Sequence, residues 1–251
     1  MNDSMNGKRM IITGASKGIG RGLAAYFSGL GARIAAVARS RDALISLQKE
    51  ITSQGGECRI YPTDLRDISN IRPVFDTIAD DFGGLDILVN NAGMGKPIPA
   101  MDIQESDWDE MMSLNLKAAF FCAQAAARHM LSAGSGRIVN ISSQAAVVAI
   151  DGETIYCASK GGINQMTKVL ALEWSKHGVT VNAVGPTFTH TPGTAERLND
   201  PEFRSGVLAN IPRGRIGTID DIANAVAFLA ADSSDMVNGA FLPIDGGWTI
   251  I

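Results

Sequence analysis

The chain has 251 residues, 45% of them hydrophobic, with a formal net charge of −4 and a pI of about 5.4. That length and apolar content suffice for one sizeable α/β core, and the acidic balance without clustered Lys and Arg excludes a nucleic-acid footprint. Cys58, Cys122 and Cys157 show neither metal-ligand spacing nor a disulfide pattern, and His129, His177 and His190 are scattered, so a reducing, cytoplasmic setting and no metal site are expected.

Short apolar runs alternate with helix-length amphipathic segments. Nothing approaches ~18 apolar residues and MNDSMNGKRM carries no long apolar run, so neither a transmembrane helix nor a signal peptide is expected. Arg9–Thr13 reads as a buried strand, Ile19–Leu30 as a helix and Arg33–Ala38 as a second strand. Arg41–Gln54 is a helix, Cys58–Pro62 a strand, Ile68–Phe82 a helix and Leu85–Asn90 a strand. Glu105–Leu131 reads as one long helix, Gly136–Ile141 as a strand, Thr154–His177 as a second long helix and Thr180–Val184 as a strand. Asp220–Ala231 is a short helix and Ala240–Ile244 the last strand. Near-continuous apolar strands alternating with helices predict α/β architecture: a doubly wound parallel sheet in a single Rossmann-type domain over 1–251. Residues 187–217, rich in Thr, Pro, Gly and Arg, break the rhythm and read as an irregular substrate lid.

Between the first strand and first helix lies TGASKGIG, with Gly14, Ser16, Lys17, Gly18, Ile19 and Gly20. Its spacing is G-x-x-x-G-x-G, which differs from G-x-G-x-x-G. The physics is shared: glycines permit a tight turn and close backbone approach, and a helix N-terminus attracts a pyrophosphate. Close packing alone is the plain alternative. Where dinucleotide-binding folds place an acid for the ribose 2′-hydroxyl, this chain has Ala38 followed by Arg39, Ser40 and Arg41. A guanidinium fork suits a 2′-phosphate, and Lys17 adds a second cation, so NADP(H) is expected over NAD(H). The rival reading, a solvated helix start, is weakened because cations sit poorly at a helix N-terminus.

Asp64 and Leu65 follow the third strand. The carboxylate would accept the adenine amino group under a Leu65 cover, or else cap the next helix. Asn90, Asn91, Ala92 and Gly93 end the fourth strand, where amides stitch loops or touch a ribose, or simply make a turn.

Tyr156 and Lys160 are spaced one helical turn apart. A free phenol, with pKa ~10, is a poor base at neutral pH. An ammonium about 5 Å away at an effective dielectric of ~20 contributes roughly 3 kcal/mol, or about 2 pKa units, which brings the phenol toward acid–base work. A core tyrosine beside a surface lysine is the alternative. Ser143 precedes Tyr156 by 13 residues, at the end of the fifth strand, where its hydroxyl would polarise the same substrate oxygen. Asn115 interrupts a helix it does not favour, so a break or a bound water is expected there, with a proton path from Lys160. Cys157 has no base in view and reads as a packing residue.

Together TGASKGIG, Asp64, NNAG, Asn115, Ser143, Tyr156 with Lys160, the stretch PRGRIGTIDDIANAVAF and the ending DGGW resemble the short-chain dehydrogenase/reductase family over nearly the whole chain. The resemblance implies a catalytic tetrad. In it Tyr156 is the acid–base, Ser143 orients substrate, Lys160 binds the nicotinamide ribose and lowers the tyrosine pKa, and Asn115 holds a relay water. It also implies contact of Pro186, Thr189 and Thr191 with the nicotinamide end, and a homotetramer packed through the two long helices. Pro186-Thr187 replaces the family's usual Pro-Gly and is reminiscent of carbonyl and sugar reductases, and Gln144-Ala145 replaces the usual small residue and glycine. The activity implied is hydride transfer between NADP(H) and a ketone or secondary alcohol, of carbonyl reductase type. A sugar or polyol dehydrogenase and a 3-oxoacyl-thioester reductase are the enzymatic alternatives; a non-catalytic NADP-binding protein is the other. His190, Arg197, Arg204, Arg213 and Lys96 are candidate substrate contacts or surface charges.

Overall fold

Each apolar run becomes a strand because both of its faces are covered. The computed structural model describes residues 5–250. Strands β1 (Arg9–Thr13), β2 (Arg33–Ala38), β3 (Cys58–Pro62), β4 (Ile87–Asn90), β5 (Gly136–Ile141), β6 (Val179–Pro186) and β7 (Phe241–Ile244) pair in parallel in the order β3-β2-β1-β4-β5-β6-β7. Helices α1 (Gly18–Gly29), α2 (Arg41–Ser53), α3 (Ile71–Phe82), α4 (Glu105–Met112), α5 (Ala118–Ala133), α6 (Thr154–Trp174), α7 (Ala195–Asn199), α8 (Pro201–Ala209) and α9 (Ile219–Ala230) make the connections.

Successive strand residues point to opposite faces, and the sheet therefore has two cores. Ile12, Ile34 and Ala36 join Leu23 and Phe27 of α1, Leu47 of α2 and Val226 of α9 on one face. Ile11, Ala35 and Val37 join Phe75 and Ile78 of α3 and Ala126 of α5 on the other. Phe27 and Phe75 are fully buried, and cutting either back to alanine costs about 3–5 kcal/mol. No helix among the described residues is long and apolar enough to cross a membrane.

Several boundaries differ from expectation for local reasons. β4 starts at Ile87 rather than Leu85 because the Asp86 carboxylate, not a ladder carbonyl, accepts from the Arg9 backbone N–H at 2.8 Å. β6 runs on to Pro186 because β7 pairs with it as far as Pro186 opposite Ile244. The expected single helix from Glu105 to Leu131 is interrupted by a π-helical turn at Ser113–Lys117, centred on Asn115. The segment 187–217 is not irregular. It folds α7 and α8 over a small core of Leu198, Val207, Ile211 and Ile216, and Phe188 packs edge-on to Phe203 at 5.5 Å.

The chain winds from β1 outward through β2 and β3, then returns to β4 on the other side of β1. Strand order reverses there, and the crevice beyond the carboxyl ends of β1 and β4 is where such sheets take ligands.

Candidate active site

A cavity of about 880 Å³ opens beyond these strand ends. Its floor is the glycine loop. Gly14 has φ 68° and Gly18 φ 58°, the left-handed region glycine tolerates best. Gly20 is required by space: a Cβ there would lie 2.4 Å from Asn91 Nδ2 and 2.5 Å from the Gly14 carbonyl oxygen. Ser16, Lys17, Gly18 and Ile19 line the cavity at the start of α1, where first-turn N–H groups lack helical partners. Asn91 stitches β4 to β1, donating from Nδ2 to the Thr13 carbonyl at 2.9 Å and from its backbone N–H to Thr13 Oγ1 at 2.9 Å. Ala92 and Gly93 continue the wall.

At the far edge Arg39 and Ser40 line the cavity. Ser40 also caps α2, accepting from the Ala43 N–H. Arg41 begins α2 and is not among the lining residues. Asp64 and Leu65 both line the wall. Asp64 does not cap a helix. Arg66 grips its carboxylate at 2.7 Å and holds it below the ordinary carboxylate range, while Asp67 caps the turn at Ile68–Asn70.

At the opposite end Ser143, Tyr156 and Lys160 converge on the same space. Lys160 is buried, donates from Nζ to the Ile141 carbonyl at 2.8 Å, and lies 5.5 Å from the Tyr156 ring centroid. Burial lowers its pKa to about 8. The expectation of a phenol made acidic by this neighbour is not met in the structure as it stands. Burial raises Tyr156 to about 12, the nearby Ser143 hydroxyl pulls it down, and the charge of Glu153 pushes it up. Desolvation dominates because removing a phenolate from water is costly. Ser143 accepts from the Ala145 N–H at 3.1 Å and donates to Gln144 Oε1 at 2.8 Å.

Asn115 stands behind this group, 1% exposed. Its Oδ1 accepts from the Met94 N–H and its Nδ2 donates to the Met94 carbonyl, both at 2.8 Å, and to Ser159 Oγ at 3.1 Å. The π-helical turn turns the amide into the β4 loop, an arrangement common at functional positions.

Pro186, Thr189 and Thr191 line the third side. Thr189 bridges to Gly217 and donates from Oγ1 to the Thr187 carbonyl at 3.0 Å. Thr191 stands over the glycine loop, 3.7 Å from where a Gly18 Cβ would be. Of the five charged candidates only Arg197 reaches the cavity. His190, Arg204 and Arg213 do not line it, and Lys96 is paired with Asp107 at 2.7 Å. Among the polar residues that line it without a role in the sequence reading are Gln144, Glu153 and Thr187. Glu153 Oε2 and Thr187 Oγ1 are buried without a hydrogen-bond partner. A polar side chain just outside a strand end or helix start was the only available sign of them. The bare glycine cradle, the exposed Lys17 and Arg39 at one end and the orphaned Thr187 hydroxyl at the other fit a dinucleotide with a 2′-phosphate.

The model of the family described as enoyl-(acyl carrier protein) reductase matches residues 14–249. The chain belongs to the short-chain dehydrogenase/reductase family. It is 41% identical to D-threitol dehydrogenase of Mycolicibacterium smegmatis over 98% of this chain and 94% of the relative. It is 37% identical to a 3-oxoacyl-acyl-carrier-protein reductase of Thermotoga maritima over 98% of this chain and 99% of that one. A crystal structure of gluconate 5-dehydrogenase from Burkholderia cenocepacia, in complex with NADP and tartrate, superposes with a TM-score of 0.95 at 32% identity, covering 100% of this chain and 99% of the other. Members of this family are thus similar to the chain end to end while differing in what they reduce or oxidise.

Proposed function

We propose that this short-chain dehydrogenase/reductase is an NADP(H)-dependent oxidoreductase interconverting a ketone and a secondary alcohol. The observation that carries the reading is the convergence of Ser143, Tyr156 and Lys160 at one end of a cavity whose other end is the glycine loop.

The Gly14–Gly20 backbone and the α1 N-terminus would hold the pyrophosphate, Arg39 and Lys17 the 2′-phosphate, Asp64 and Leu65 the adenine, and Asn91 to Gly93 the riboses. Lys160 would reach the nicotinamide ribose, and Pro186, Thr189 and Thr191 the nicotinamide end. Bound NADPH supplies the hydride. The Ser143 and Tyr156 hydroxyls donate to the substrate carbonyl oxygen and polarise it. Tyr156, protonated at neutral pH with its pKa up at about 12, gives its proton to that oxygen as the alcohol forms. Lys160 passes a replacement proton toward the phenol. The Asn115 side chain is committed to Met94 and Ser159, so a relay water at the π-helical turn would rest on a backbone carbonyl. Residues 187–217 form a lid over the substrate end. Exposed Val169 and Leu172 on α6 support assembly as a homotetramer through the long helices.

A sugar or polyol substrate is supported by the name of the threitol-oxidising relative, and a 3-oxoacyl thioester by that of the Thermotoga relative. NADPH oxidation is to be followed with sugars, α-diketones, simple ketones and acetoacetyl thioesters, with NADH alongside. Turnover of at least one carbonyl class with NADPH preferred supports the reading. Tight NADPH binding with no turnover of any class replaces it with a non-catalytic NADP-binding protein.

A further inference from the structure

We infer that Glu153 is the residue that selects the substrate, accepting a hydrogen bond from a hydroxyl beside the reacting carbon, so that the enzyme takes neutral polyols and hydroxyketones in preference to sugar acids. This rests on the oxidoreductase reading above.

Glu153 occupies the N-cap position of α6, yet its side chain makes no capping bond. It turns into the cavity, with a side chain only 10% exposed. Oε1 lies 3.7 Å from Arg197 Nη1 on the lid, and Oε2 is buried with no partner. A buried acceptor left unpaired is destabilising, a penalty that a ligand donor at that spot removes. The place is the reacting end. A Cβ on Gly95 would lie 3.6 Å from Tyr156 Cδ2, 3.8 Å from Tyr156 Cε2 and 4.0 Å from Glu153 Oε2, so the bare glycine keeps open a space shared by ring edge and carboxylate.

Burial raises the Glu153 carboxyl and the Arg197 guanidinium pulls it back down; in its ionised form the carboxylate only accepts hydrogen bonds. The group that meets Oε2 must therefore donate, as a hydroxyl does and a ketone, a thioester or a second carboxylate does not. Arg197 taken alone would favour the reverse, an anionic substrate. Its guanidinium is already shared between Glu153 and the Phe203 ring, 4.4 Å away, and no other cation among the candidates reaches the substrate end. A ligand carboxylate would stand beside the Glu153 carboxylate, two like charges in a confined space with Arg197 as the nearest counter-charge among the candidates.

Threitol and tartrate share one four-carbon chain and differ in whether its ends are hydroxymethyl or carboxylate groups. Butan-2-ol has the reacting alcohol without the neighbour. Binding of each to the NADP⁺-saturated protein is measured by calorimetry, with NADP⁺-dependent oxidation beside it, for wild type, Glu153→Gln and Glu153→Ala. Wild type is expected to bind threitol at least tenfold tighter than tartrate. Glu153→Gln should tighten tartrate about tenfold or more while weakening threitol. Glu153→Ala should weaken threitol binding by about 10–100-fold and lower kcat/KM for threitol at least tenfold more than that for butan-2-ol. A merely structural role would move all three ligands in the same direction, and that result overturns the inference. So does equal binding of threitol and tartrate by wild type, or binding of neither. If simple ketones are still reduced with NADPH in those cases, the oxidoreductase reading stands alone. If NADP⁺ itself fails to bind, both readings fall.

Discussion

At the glycine-loop end of the cavity the walls are mostly backbone; at the Tyr156 end they are side chains contributed by five separated segments. The first end depends on the absence of atoms: a Cβ at Gly20 would meet the Gly14 carbonyl at 2.5 Å. Its two candidate phosphate cations, Lys17 and Arg39, stay exposed. The second end depends on polar groups whose charge the surroundings resist, with Tyr156 raised to about 12 and Lys160 lowered to about 8. One end is defined by shape; the other is a set of ionisations that burial resists. The difference implies that damage at the two ends should separate into binding and turnover.

The largest separation is expected from Tyr156→Phe. Removing the phenolic proton should lower kcat by about 10²–10⁴-fold and leave the NADPH Kd within about threefold, checked by fluorescence titration. Equal loss of both would erase the contrast between the ends. Gly20→Ala should do the opposite. The intruding methyl costs about 1–3 kcal/mol, so calorimetry should show Tm lower by roughly 2–10 °C, with weaker NADPH binding and an intact rate at saturation. Arg39→Ala is a finer cut at the same end: loss of a charge-assisted contact should raise KM for NADPH about 10–100-fold and leave KM for NADH nearly unchanged. An equal rise for both cofactors would show that Arg39 does not read the 2′-phosphate.

The glycine-loop end was the more legible one in the sequence, for the same physical reason. A turn that needs positive φ at Gly14 and no Cβ at Gly20 leaves a local mark, and Ala38 followed by Arg39 reads directly off the end of β2. The Tyr156–Lys160 pair was legible because helical spacing fixes neighbours. The consequence of that pairing was not, since the Tyr156 pKa depends on how deeply the fold buries the ring. Glu153 was passed over, and Thr187 was noted only as a departure from Pro-Gly, because nothing local distinguishes a turn carboxylate or hydroxyl that faces solvent from one that faces a cavity. Only packing of β6 and α7 against the start of α6 decides it. The π-helical turn at Asn115 was half visible: a poor helix former in a long helix announced a break, but not that the amide would clasp Met94. Helices α7 and α8 were hidden because two short helices of 5 and 9 residues leave too few turns for a periodicity to show.

The smallest effect tests whether the Tyr156 end truly stores charge against burial. The ammonium of Lys160 loses its proton near pH 8 in the folded protein but near pH ~10.4 when unfolded. Between those values the unfolded chain binds a proton the folded one lacks, so this residue adds stability as pH rises, up to about 1.4 kcal/mol per unit. The contribution is complete above the unfolded value and lost as pH falls through 8. Tyr156 acts oppositely only above its unfolded value of ~10. The buried thiols of Cys58 and Cys122, both raised by desolvation, oppose it within the window, so the lysine's part must be taken as a difference. Urea unfolding of wild type and Lys160→Met at pH 7.5, 8.5 and 9.5 (about half a unit below the folded value to well above it) supplies that difference. The wild type should gain on the methionine variant with each step. A constant gap would mean that Lys160 keeps its proton through the range and that the reacting end is wetter than its burial indicates, which would remove the contrast between the two ends at its source.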